Sequence, residues 1–126
     1  MTDLDVISTL RTAARAAADK KAFQIVGLQI SSLSSYADGL LIWSGGSDRQ
    51  VAAIADEVQR QLRDHGRKPL HVEGERRAEW VLMDYGDVVI HVFTEERRTY
   101  YGLESLWGDA PRLDAEALDI NSGDRV

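Results

Sequence analysis

Cysteine is missing from all 126 residues. That excludes disulfide staples, thiolate nucleophiles and thiolate metal sites, and it fits a reducing compartment. Proline occurs twice, and no apolar run approaches the roughly eighteen residues of a membrane span. The opening MTDLDVISTL lacks the basic region and long apolar core of a secretory signal. The expected setting is therefore cytoplasmic, with no membrane partner. Excess positive charge is missing too, because 15 basic residues against 21 acidic ones give a net charge of −6. Tracking a nucleic-acid backbone depends on neutralising phosphates, so little direct nucleic-acid binding is expected and a basic protein partner is favoured. The patterns GxxxxGK[ST], GxGxxG, GxSxG and HExxH are absent as well.

What is present suits one domain, long enough to bury roughly two-thirds of the surface its unfolded chain exposes. LDVISTLRTAARAAADKK places Leu4, Ile7, Leu10, Ala14 and Ala17 or Ala18 at helical spacing, with Thr2 or Asp3 as a cap. FQIVGLQI and ADGLLIWSG read as strands on either side of SSLSSY. The run 40–43 does not alternate, which predicts a strand covered on both faces. SDRQVAAIADEVQRQLRDH then carries Val51, Ile54, Ala55, Val58 and Leu62 on one stripe and stops at Gly66. PLHVEG, EWVLMDYG and DVVIHVF follow as strands, the last two joined by a tight turn at Tyr85–Gly86. TEERRTYYGLESLW reads as a last helix with Tyr100, Leu103, Leu106 and Trp107 at helical spacing.

Residues 1–108 form the expected domain. Residues 109–126, with five acids and two bases, are expected as a mobile acidic tail with room for a short ordered piece. The order of elements predicts an α/β fold, a mixed sheet of about five strands with helices on both faces. Strands flanking the second helix can run parallel through a crossover.

WSGGSDRQ, at 43–50, raises the question of chemistry. A glycine turn ahead of a helix can cradle a phosphate. A nucleotidyl-transfer site would also need two acids on one strand face to hold magnesium. Asp56 and Glu57 point different ways on a helix, and Asp84 and Asp87 straddle the hairpin turn. The plainer reading, a turn plus a capping box of Ser47 with Gln50, is preferred. The alternative is a small nucleotidyltransferase-like enzyme holding a nucleotide with Gly45, Gly46, Ser47 and Asp84 or Asp87. His65, His71 and His91 show no ligand spacing, and His91, inside VVIHVF, reads as a hydrogen-bonded core histidine. No catalytic residue, cofactor or metal is expected.

The last third is distinctive. Trp80, Tyr85, Tyr100, Tyr101 and Trp107 lie among Glu79, Asp84, Asp87, Glu95, Glu96, Glu104 and Asp109, and only Arg97 and Arg98 oppose those acids. Aromatics in an acidic setting suit a basic protein surface, since tryptophan and tyrosine dominate interface energetics.

Through AADKKA, SGGSDRQVAAIADEV, KPLHVEGERRAEWVLMDYGDVVIHVF and YYGLESLWGDAP the chain resembles, over about residues 5–111, the ribosomal silencing factor family, also called Iojap-like. The resemblance implies a nucleotidyltransferase-like fold without catalytic acids. It implies binding to the large ribosomal subunit through the ribosomal protein numbered fourteen, blocked joining of the small subunit, and lowered translation when nutrients are scarce. It also implies a link to subunit biogenesis, homodimers in the free state, and a contact surface at Trp80, Met83, Asp84, Tyr85, Tyr101, Leu106 and Trp107.

Overall fold

The structure, a computed structural model, describes residues 6–29, 39–102 and 112–113. Helix α1 (Val6–Asp19) leads into the antiparallel pair β1 (Phe23–Gln29) and β2 (Gly39–Gly45), followed by helix α2 (Asp48–Asp64). Strands β3 (His71–Glu73), β4 (Trp80–Asp84) and β5 (Val88–Thr94) come next, then helix α3 (Glu95–Tyr101) and the two-residue strand β6 (Arg112–Leu113). The expected order is reproduced. The sheet has six strands rather than about five, because β6, inside the stretch read as a tail, pairs with Gly27 and Leu28 of β1.

The strand order is β3-β4-β5-β2-β1-β6, with β2 and β5 parallel at the centre and the other pairs antiparallel. Strands β2 and β3, on either side of α2, run the same way but are separated by β5 and β4. Helices α1 and α2 cover one face. Leu10, Ala13, Ala14 and Ala17 of α1 and Val51, Ile54, Ala55, Val58 and Leu62 of α2 pack there on Leu41, Trp43, Val81, Met83, Ile90 and Val92. The alanines let α1 approach closely, while the α2 stripe is the one its sequence spacing predicts. The opposite face carries a second cluster of Leu28, Leu40, Ile42, Val89 and Phe93. Every residue of β2 is buried, as its unbroken apolar run requires.

Helix α3 lies towards that second face, where Arg98 Nη1 donates to Ser44 Oγ at 2.9 Å and to the Gln24 carbonyl. Thr94 caps it, its Oγ1 accepting from Arg97 N at 3.3 Å. The helix is shorter than its spacing predicts. Gly102 adopts a left-handed conformation at φ 57° and its N–H donates to Arg98 O, a C-cap that ends the helix at Tyr101. Leu103, Leu106 and Trp107, expected on the same helix, lie outside the described residues.

Candidate functional site

Alternation along β4 sorts the candidate contact residues into two groups. Trp80, Leu82 and Asp84 point to the second face and are only partly buried, whereas Val81, Met83 and Tyr85 point to the helices. Met83 is 0% exposed and Tyr85 3% exposed. The expected surface therefore needs correcting at these two positions, because contiguous residues of a strand cannot share one face. Burial also pushes the Tyr85 hydroxyl up to about 12, and the Arg67 guanidinium sits 5.6 Å from its ring centroid. Tyr101 is the last residue of α3, and Leu106 and Trp107 lie outside the described residues. Leu82, outside the expected set, belongs to this face with Trp80, and its spacing of two from that residue marks it in the sequence.

Trp80 is held by three kinds of contact. Its ring stacks on Phe93 with centroids 5.1 Å apart and lies 5.9 Å from the His91 ring, which in turn stacks on Phe93 at 6.0 Å. Its Nε1–H donates to His91 Nδ1 at 2.9 Å. Register makes this possible, since Trp80 lies opposite Phe93 and Leu82 opposite His91, so the indole reaches His91 along the diagonal. An accepting Nδ1 requires the tautomer with the proton on Nε2. Burial lowers the His91 pKa from 6.5 to about 4, which keeps this acceptor neutral. The reading of His91 as a hydrogen-bonded core histidine holds, and its partner is the leading candidate anchor.

Asp84 has a local role as well, its Oδ1 accepting from Gly86 N at 2.8 Å across the hairpin turn. Gly86 takes φ 90° there, and Tyr85 N donates to Val88 O. Asp87 pairs instead with Arg67 Nη2 at 2.9 Å, and the same guanidinium reaches Thr9 Oγ1 and the Tyr85 carbonyl. The two aspartates serve separate structural bonds.

The glycine turn is equally occupied. Ser47 Oγ accepts from Gln50 N at 3.1 Å, while Gln50 Oε1 accepts from Gly46 N at 2.6 Å. Gln50 Nε2 then donates to Lys21 O at 3.0 Å and Lys20 O at 3.3 Å, at the end of α1. Ser47 thus forms the cap expected of it, while Gln50 reaches back to the N–H of Gly46 instead of that of Ser47, and its amide also ties the start of α2 to the end of α1. A Cβ on Gly45 would meet Val51 at 3.1 Å, so that glycine serves close packing.

A family model described as "Ribosomal silencing factor during starvation" matches residues 3–125. The chain is 46% identical to the ribosomal silencing factor of Halalkalibacterium halodurans over 86% of its own length and 93% of that protein's. It is 48% identical to the ribosomal silencing factor of Bacillus subtilis over 86% of its length and 92% of that protein's. A crystal structure of a protein from Chromobacterium violaceum superposes with a TM-score of 0.81 at 38% identity, covering 83% of this chain and 88% of that one. The family model matches nearly the whole chain and these relatives are 46–48% identical over most of it: the protein belongs to the ribosomal silencing factor family.

Proposed function

We propose that the protein represses translation by docking on the large ribosomal subunit through the ribosomal protein numbered fourteen. Occupying the surface that meets the small subunit would prevent subunit joining when nutrients are scarce. It acts by occupancy rather than by catalysis, in the cytoplasm where ribosomes work. The observation that carries the reading is Trp80, a partly exposed indole fixed by Phe93 and His91 on the face it shares with Leu82 and Asp84. A large aromatic side chain held in one orientation loses little conformational freedom on binding, which favours its use as an anchor. The net charge of −6 favours encounter with a basic ribosomal protein. Met83 and Tyr85 act behind this surface, as the packing that holds β4 in place, and Tyr101, Leu106 and Trp107 complete the contact.

A subunit-joining reaction tests this directly. Added protein shifts the products from joined ribosomes to free subunits, and the shift disappears when small subunits are joined before the protein is added. Unchanged joining at saturating protein contradicts the reading. Free protein forms homodimers that cover the same surface, so large subunits compete with self-association, measurable by sedimentation velocity. Nucleotide with magnesium leaves the melting temperature unchanged, whereas a rise would favour the enzymatic alternative.

A further inference from the structure

Beside Trp80 a surface groove of about 280 Å³ is lined by Gly74, Arg76, Arg77, Glu79, Trp80 and Arg97. Three guanidinium groups and one carboxylate give it a positive charge on a chain whose net charge is −6. The single carboxylate is shared, with Glu79 Oε1 lying 3.6 Å from Arg77 Nη2 and 3.7 Å from Arg97 Nε. One carboxylate set between two of the three guanidinium groups leaves the lining with an excess of positive charge.

The arginines of the β3–β4 connection are displayed by a tight turn. Gly74 has φ +88°, and a Cβ there would come within 2.0 Å of the Trp80 carbonyl oxygen. Ala78 is left-handed at φ 55°, is buried, and donates its N–H to Gly74 O at 2.9 Å. Arg76 and Arg77 are thus held at the tip of a turn packed against the first residue of β4. Arg97 approaches from α3, whose first turn is fixed by Thr94. Guanidinium groups next to an indole face provide paired donors for phosphate oxygens and a stacking surface for a base or sugar.

We infer that this groove takes RNA-backbone phosphates of the large ribosomal subunit, as a second contact beside the Trp80 face. The inference rests on the docking proposed above. It also reconciles a local phosphate site with an acidic chain. The net charge opposes tracking along free RNA, but a groove brought against RNA by an adjoining protein contact needs only a few phosphates.

The test is the affinity of the full chain for isolated large subunits as salt is raised from about 50 to about 200 mM, compared with the double variant Arg76→Gln, Arg77→Gln. Both arginines are exposed, so the variant retains the fold. Each lost phosphate contact flattens the slope of log affinity against log salt by about 0.7–0.9. The double variant therefore binds more weakly at low salt, and its deficit shrinks about eightfold across the range. Arg63→Gln, on an exposed position of α2, leaves the slope unchanged. A photo-crosslinker at position 75 labels ribosomal RNA. If wild-type protein binds and the double variant has the same slope, the groove is not a phosphate site and the docking reading stands. A label recovered on a ribosomal protein instead overturns the RNA assignment in favour of an acidic protein segment. Wild-type protein with no affinity for large subunits overturns both.

Discussion

Met83 and Asp84 are neighbours in sequence and belong to different environments. On the helix side of β4, Val81, Met83 and Tyr85 are sealed against α1 and α2, and their contribution is stability. On the other side, Trp80, Leu82 and Asp84 are only partly covered, and the Trp80 ring is held by the hydrogen bond to His91 and the stack on Phe93. One face is packed to be inaccessible. The other is organised to present an indole. Exposure along β4 therefore follows the two-residue period of a strand and does not extend along every residue of an aromatic, acidic stretch.

The largest expected effect comes from the sealed face. Met83→Ala destabilises the protein by about 2–5 kcal/mol, read from urea denaturation, because it opens a cavity in the fully buried cluster beneath the helices. The remaining folded fraction keeps its affinity for large subunits. Loss of affinity with little loss of stability would erase the distinction between the faces.

Next is the pH response of the indole's partner. The folded-state pKa of His91 lies near 4 against 6.5 when unfolded, so the unfolded chain binds the extra proton first. The stability that comes from keeping His91 neutral is complete above pH 6.5 and is lost as pH falls towards 4. Between pH 7 and pH 4.5 this amounts to about 2–3 kcal/mol. His91→Asn keeps an acceptor near Nδ1 and removes the titration, so its stability falls less over the same interval. Equal falls would assign the acid sensitivity to other groups.

Trp80→Phe keeps an aromatic ring on Phe93 but removes the donor to His91. Leaving that buried acceptor unpaired costs about 1–3 kcal/mol, measurable as a lower denaturation midpoint. An unchanged midpoint would mean that the hydrogen bond orients the indole without stabilising the fold. The smallest effect lies far from both faces. Ser47→Ala removes the α2 cap and costs about 1 kcal/mol in thermal unfolding, with no change in binding.

Much of this architecture is legible in the sequence because it rests on local patterns. The α2 stripe, Gly66, the Tyr85–Gly86 turn and the unbroken apolar run of β2 each state their structure directly. The end of α3 was legible as well, in Gly102, but the helical spacing of Leu106 and Trp107 pointed further along the chain. The site is harder to read. Trp80 stands out by composition, yet its bond to His91 depends on the β4–β5 register, which no local pattern specifies. The groove requires a turn, a strand and a helix to meet, so the net charge of −6 conceals three arginines in one place.

The most direct test is co-sedimentation of wild-type protein and Trp80→Ala with isolated large subunits, with small subunits as the control and folding of each variant verified by circular dichroism. The account predicts saturable binding of the wild type to large subunits alone. Trp80→Ala should be folded and bind about thirtyfold more weakly, the loss expected for an anchor worth about 2 kcal/mol. A wild type that ignores large subunits, or a folded Trp80→Ala that binds them equally well, would contradict it.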